Sequence, residues 1–283
     1  MGTQPVALIT GASSGIGQAT AELFAANGFR VFGTSRAPDA GTARAYAIRP
    51  YTMLPLDVCL DESVDAAVRD VLDQAGRIDV LVNNAGYSQS GAIEENSIAE
   101  AQAQFDTNLF GVMRVIKAVA PIMRRQGGGH IINISSVLGH VAFPYVGLYA
   151  ASKFALEGFT EALRHELRQF NIQIALIEPG FVKTNFAGRR PISLIDEYAT
   201  GRQAAFQWSR AGIEGGMEPG VVAQAILAVA TTPTPRLRNR IGRTSRLLGM
   251  LKRLLPEPVF ERVQRRIFEN NQVRTRRPQP RAS

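Results

Sequence analysis

Val6-Ala7-Leu8-Ile9 runs straight into Thr10-Gly11-Ala12-Ser13-Ser14-Gly15-Ile16-Gly17. An apolar run of strand length thus ends in a loop with glycines at 11, 15 and 17, after which Ala19, Leu23 and Phe24 share one helical face. Such a unit brings backbone N–H groups and the positive end of a helix up to a phosphate, and side-chain bulk would block that approach. The glycine spacing by itself is a weak signal, because a glycine-rich turn reads the same way. Its position decides the reading: it follows the first strand of an alternating chain, where the crevice of a doubly wound sheet takes a dinucleotide.

Working outward, strand-length apolar runs lie at Val6 to Thr10, Arg30 to Thr34, Thr52 to Leu56, Ile78 to Val82, His130 to Ile134 and Ile172 to Ile177. Stretches of helical period separate them. Val64, Val68, Val71, Leu72 and Ala75 form one such face behind Asp61, which can cap the helix start. Leu156, Phe159, Leu163, Leu167 and Phe170 form another after Tyr149, with Glu157, Glu161 and Arg164 expected to face solvent. The pattern predicts an α/β fold: a Rossmann-type doubly wound parallel sheet in a single domain over residues 1–231. Residues 181–217 read as an irregular substrate lid and Val221 to Ala230 as a helix. Residues 232–283 read as a basic helical C-terminal extension whose last ten residues, Arg274 to Ser283, are expected to be disordered.

The chain has 283 residues, 45% of them apolar and 20% charged, which fits a folded protein and excludes collagen-like or coiled-coil compositions. Cys59 is the single cysteine, so an intrachain disulfide is excluded, no metal site is expected, and a reducing, cytoplasmic location suits the chain. The first residues lack the pattern of a secretory signal, and no apolar window is long enough to span a membrane. The net charge of +8 is unevenly spread: residues 231–283 hold 14 basic and 3 acidic side chains, while residues 1–230 are net −3.

That tail carries Leu247, Leu248, Leu251, Leu254 and Leu255 at helical spacing, then Val259, Phe260, Val263 and Ile267, all among arginines. Three readings stay open: helices docked on their own domain with snorkelling arginines, a peripheral contact with anionic lipid, or nucleic acid. No aromatic-interleaved basic motif supports the last, so no nucleic-acid partner is expected.

The second strand ends Gly33-Thr34-Ser35-Arg36, with no acid before Asp39. A carboxylate there would bind an adenosine ribose 2′-hydroxyl; Arg36 is instead placed to pair with a 2′-phosphate, which favours NADP(H) over NAD(H). Tyr149 and Lys153 stand four apart on one helical face. A free phenol ionises near pH 10, and an ammonium about 4 Å away at an effective dielectric of ~20 is worth about 4 kcal/mol, or roughly three pKa units. Such a phenol can exchange a proton with a carbonyl or alcohol oxygen while hydride moves to or from a nicotinamide. Ser136, after the fifth strand, could hold the same oxygen, or simply cap a loop.

These elements, with Asn83-Asn84-Ala85-Gly86 and Pro179-Gly180 followed by Thr184, resemble the short-chain dehydrogenase/reductase family over residues 5 to about 185. The resemblance implies that Gly11, Ser13, Ser14, Gly15, Ile16 and Gly17 hold the cofactor, with Asp57 and Val58 on the adenine. It further implies that Asn84, Ala85 and Gly86, and beyond them Pro179, Gly180, Val182 and Thr184, line the cofactor. Tyr149 would be the acid/base and Ser136 would orient the substrate oxygen. Lys153 would bind the nicotinamide ribose and lower the tyrosine pKa, and Asn108 would hold a proton-relay water.

The expected activity is NADP(H)-dependent hydride transfer between nicotinamide and a carbonyl or alcohol. The competing readings are a catalytically silent NADP-binding regulator and a lipid-surface adaptor acting through the tail. Leu138, Val141, Phe143, Tyr145, Phe181, Phe186, Trp208 and Met217 either line a site for a bulky apolar substrate of steroid, retinoid or fatty type, or only pack the lid. Relatives in the family commonly form dimers or tetramers, so a homodimer or homotetramer is expected.

Overall fold

A computed structural model describes residues 4–36, 49–186 and 188–276. Among them, seven parallel strands form one sheet in the order β3-β2-β1-β4-β5-β6-β7. The strands are β1 Val6–Ile9, β2 Arg30–Ser35, β3 Thr52–Pro55, β4 Val80–Asn83, β5 Gly129–Ile134, β6 Ile172–Pro179 and β7 Arg238–Ile241. The helices are α1 Gly15–Ala26, α2 Asp61–Ala75, α3 Ile98–Phe105, α4 Gly111–Gln126, α5 Gly147–Leu167, α6 Ala199–Glu214, α7 Pro219–Ala230, α8 Arg243–Leu254 and α9 Glu257–Arg276.

Alternate residues of β1 serve two cores. Val6 and Leu8 pack with Val64 of α2, Val115 of α4 and Leu156 of α5. Ala7 and Ile9 pack on the other side with Phe24 of α1 and Val222 and Ile226 of α7. A strand covered on both faces needs apolar residues at every position, which is why β1 reads as an unbroken run. Each large side chain buried this way contributes about 1.5–3 kcal/mol. Because β1 lies between β2 and β4, the strand order reverses there, and a crevice opens beyond the C-terminal ends of β1 and β4.

Several expectations need correcting. The sheet has a seventh strand, β7, inside the stretch read as an extension; it pairs in parallel with β6, with Glu178 opposite Arg240. A strand reading Arg-Asn-Arg carries no hydropathy signal, because charge pairing rather than apolar burial holds it. The 181–217 stretch is not wholly irregular, since α6 occupies sixteen residues of it. Asp61 is the first residue of α2 rather than its cap, and it pairs with Arg114 at 3.0 Å. Helix α9 continues through Arg276, three residues into the stretch expected to be disordered; residues 277–283 lie outside the described residues.

The tail is docked over part of its surface. Leu248 and Phe260 are buried against Val141 and Phe143, and Gln264 donates to the Ala142 carbonyl at 2.9 Å.

Candidate active site

One half of the crevice is built from backbone. Gly11 and Gly15 have φ of +66° and +57°, conformations that cost a side-chain-bearing residue. A Cβ on Gly15 would sit 3.1 Å from the Thr184 methyl, and one on Gly17 would fall 2.3 Å from the Gly11 carbonyl oxygen. Ser14 precedes α1 in an extended conformation, its side chain makes no capping bond, and the first turn holds no acid. The first N–H groups of α1 therefore keep their positive end for an anion. The residues fit a dinucleotide pyrophosphate.

That loop is braced from β4. Thr10 Oγ1 accepts from the Asn84 and Ala85 N–H groups at 2.9 and 3.0 Å, and Asn84 Nδ2 donates to the Thr10 and Gly11 carbonyls at 2.9 and 3.0 Å. Arg49 braces it from the other side, donating to the carbonyls of Ala12 at 2.7 Å and Ser13 at 2.9 Å. Sequence reasoning missed Thr10 and Arg49 as supports, because only folding brings position 49 to position 12. Arg36 is exposed at the end of β2 on the rim of the same crevice; residues 37–48 beyond it, including Asp39, lie outside the described residues.

The other half carries the titratable groups. Helix α5 starts at Gly147, so Tyr149 and Lys153 project from its first two turns into a cleft of about 710 Å³ that also holds the glycine loop and Ser136. Both side chains are buried. Burial pushes the Tyr149 phenol up to about 12, with the Ser136 hydroxyl acting in the opposite sense. Burial brings the Lys153 ammonium down to about 8, offset in part by the negative charge of Glu157. Lys153 Nζ donates to the Ile134 carbonyl at 2.7 Å and stands 5.8 Å from the centre of the Tyr149 ring. The expected lowering of the tyrosine pKa by this lysine is therefore not the dominant effect here; desolvation wins. Ser136 Oγ accepts from the Leu138 N–H at 3.1 Å and so caps the loop after β5.

Asn108 lies buried in a π-helical turn, Asp106–Phe110, between α3 and α4. Its Nδ2 donates to the Tyr87 carbonyl and to Ser152 Oγ, and its Oδ1 accepts from the Tyr87 N–H, at 3.0, 3.1 and 3.1 Å. The side chain thus clamps the segment after Gly86 and does not line the cleft. Gly17 does not line it either; it packs against the loop's own backbone. The other residues singled out from the sequence do: Gly11, Ser13, Ser14, Gly15 and Ile16; Asp57 and Val58; Asn84, Ala85 and Gly86; Pro179, Gly180, Val182 and Thr184. Asp57 Oδ1 accepts from the Cys59 N–H at 3.0 Å, which fixes the turn after β3.

Of the apolar residues considered for the substrate wall, Leu138, Phe143, Phe181, Phe186 and Trp208 line the cleft. Phe186 tilts over Tyr149, with ring centres 5.8 Å apart, and Trp208 packs between Phe143 and Phe181 at 5.2 Å from each. Val141 belongs to the core under the tail, Met217 packs beside the core shared by α1 and α7, and Tyr145 stacks on Phe268. Leu248 of α8 adds to the wall from a segment not considered for it.

Behind α5 lies a charged cluster that the sequence did not announce. Glu157, expected in solvent, is buried; its carboxylate takes Arg238 Nε at 2.9 Å. Arg238 also reaches Glu161 at 2.6 Å, and Arg240 reaches the fully buried Glu178 at 3.2 Å. His140 Nε2 lies 2.8 Å from Glu178 but outside hydrogen-bond geometry. Arg164, also expected in solvent, donates to the carbonyls of Ile174 and Pro235 at 2.6 and 2.8 Å. His140, Glu157 and Glu178 bring potential ligand atoms within 4.8 Å of one another, but two guanidiniums already neutralise these carboxylates and would repel a metal cation. Desolvation raises the Glu157 pKa, while the Ser135 hydroxyl lowers it. The signal that could have found this cluster is the period-two repeat of Arg238 and Arg240, which puts both on one face of a strand.

The family profile described as short chain dehydrogenase matches residues 5–192. The chain is 37% identical over 261 residues to a 3-ketodihydrosphingosine reductase of Bacteroides thetaiotaomicron, spanning 90% of this chain and 95% of that one. It is 39% identical over 273 residues to retinol dehydrogenase 8 of Bos taurus, spanning 88% and 85%. Among solved structures, a short-chain dehydrogenase/reductase from Burkholderia phymatum in complex with NAD superposes with a TM-score of 0.78 at 26% identity, over 99% of this chain and 98% of that one. A metagenomic short-chain oxidoreductase in complex with NADP superposes with a TM-score of 0.67 at 29% identity, over 84% and 97%. With a nicotinamide-type crevice, a buried tyrosine and lysine beside it and relatives matched over nearly its whole length, the chain belongs to the short-chain dehydrogenase/reductase family, as an oxidoreductase of alcohol and carbonyl groups.

Proposed function

We propose that the protein is an NADP(H)-dependent carbonyl reductase for a bulky apolar substrate, with Ser136, Tyr149 and Lys153 performing the proton chemistry. The observation that carries this reading is that all three share one cleft with the glycine loop of α1. When bound, the nicotinamide supplies the hydride, or accepts it in the reverse direction. Ser136 Oγ holds the carbonyl oxygen. As hydride reaches the carbonyl carbon, the Tyr149 O–H bond breaks and its proton passes to that oxygen, giving the alcohol and leaving a phenolate. The Lys153 ammonium stabilises that phenolate electrostatically and holds the ribose. Asn108 acts as a positioning residue by clamping Tyr87. A phenol raised to about 12 is protonated at neutral pH, which suits the reductive direction.

Arg36 supports NADP over NAD, since no acid stands at the end of β2. Phe143, Phe181 and Trp208 supply the wall for a fatty, retinoid or steroid group, in keeping with the ketone reductase and retinol dehydrogenase among the relatives. Exposed Phe110, Met113 and Phe154, at and beside α4 and α5, support self-association as a homodimer or homotetramer.

A panel of carbonyl compounds followed by NADPH absorbance tests the activity. Tyr149→Phe lowers turnover about 10²–10⁴-fold while NADPH affinity is kept; unchanged turnover would exclude the proposed donor. Arg36→Asp moves the NADP/NAD preference at least about tenfold toward NAD, and an unaltered ratio removes the phosphate assignment.

A further inference from the structure

The leucine stripe of α8 divides between two faces. Leu248 and Leu251 turn inward, against Phe143, Trp208 and Phe260, and Leu248 reaches the cleft. Leu247, Met250 and Leu254 turn outward, 51%, 49% and 69% exposed. At 3.6 residues per turn these three fall within a sector of about 60°. Arg243, Arg246 and Arg253, all exposed, lie within or beside that sector, and residues 243–254 contain no Asp or Glu. A helix docked on its own domain needs one apolar face. The apolar surface of this helix runs on past its docked face, from Leu251 through Leu247 and Leu254 to Met250, and is bordered on the far side by cations; Val259, 39% exposed at the start of α9, adds to the exposed apolar surface of the tail.

We propose that the outward face of α8 seats the enzyme on an anionic lipid bilayer, with Leu247, Met250 and Leu254 in the interface and Arg243, Arg246 and Arg253 on lipid phosphates. Charge selects this occupant. A second copy meeting the same face about a two-fold axis would set these arginines against their own equivalents with no carboxylate on the helix to pair them. The helix carries no aromatic side chain on which bases could stack. An interfacial helix of this kind combines an apolar stripe that inserts to the level of the headgroups with cations drawn to a negative surface.

The geometry adds a consequence. The same helix presents Leu248 to the cleft and Leu247 to the bilayer, so a lipophilic substrate leaving the membrane has a short apolar path to Tyr149. This delivery rests on the substrate reading given above; the lipid contact does not.

The test uses the full chain and vesicles of phosphatidylcholine alone, or with phosphatidylserine at about 30 mol %. Co-flotation is expected to be at least about tenfold greater on the anionic vesicles and to fall away in about 0.5 M salt. The triple variant Leu247→Glu, Met250→Glu, Leu254→Glu should lose about tenfold or more of that binding while keeping its elution volume and its turnover of a water-soluble carbonyl. Arg246→Glu with Arg253→Glu should reduce binding to a similar degree. Unchanged flotation of the triple variant overturns the proposal, since net charge alone would then be the cause. A wild-type dimer that the triple variant dissolves overturns it in favour of a second copy, and equal affinity for duplex DNA overturns it in favour of nucleic acid. An inactive protein that still floats on anionic vesicles would instead refute the proposed function and leave this one standing.

Discussion

The two halves of the crevice are made in different ways. Around the glycine loop, the fit comes from what is missing: Gly11 and Gly15 leave space, Gly17 lets the loop pack on its own backbone, and the N–H groups of α1 supply the charge. Around α5 and β6, the architecture depends on what is present and far apart in sequence: Glu157, Glu178, Arg238 and Arg240 form a partly buried charge network behind Lys153. A local cradle can be written in eight consecutive residues, whereas a charge network must be assembled by the fold.

The largest expected effect falls on the assembled half. Glu178→Ala leaves Arg240 without its buried counter-charge and should destabilise the fold by about 3–5 kcal/mol, read by urea unfolding. A loss below about 1 kcal/mol would mean that this network is no more than surface pairing.

Next comes Lys153. Its folded value of about 8 lies below the ordinary 10.5, so below pH 8 the fold bears the full penalty of a buried ammonium, and the penalty disappears as pH rises toward 10.5. Stability should therefore climb across that window, by on the order of 3 kcal/mol before the opposing ionisation of unfolded tyrosines sets in. Lys153→Met should flatten the climb; an identical pH profile in the variant would show that another group titrates.

The smallest effect is expected in the local half. Gly17→Ala places a methyl against the Gly11 backbone, which must shift, and should weaken NADPH binding about 10–100-fold with a stability loss of about 1–3 kcal/mol. If the loss of stability exceeds that of Glu178→Ala, the contrast between the halves is broken.

How much could be read beforehand follows the same division. The six strands with apolar runs, the glycine loop, Tyr149 and Lys153 depend on periodicity and short spacing, and the structure places them within two residues of expectation. Strand β7 escaped because Arg-Asn-Arg has no apolar signal until Glu178 stands opposite it. Glu157 can point to solvent by its place in a helical pattern, yet it is buried, with Arg238, 81 positions away, and the Ser135 hydroxyl supporting its carboxylate. Arg49 and Leu248 were missed for the same reason. Asn108 kept its place beside the site but contributes clamping bonds that a spacing motif does not specify.

The late arrival of β7 bears on how the molecule comes into being. Glu178 emerges from the ribosome 62 residues ahead of Arg240, and its carboxylate then has no guanidinium to meet. Until that pairing forms, a growing chain that has already made its cofactor cradle still exposes the edge of β6 to other strands. Completion of the sheet is thus deferred until β7 has been made, and a nascent chain stalled before residue 238 should be a client for chaperones rather than a small working enzyme.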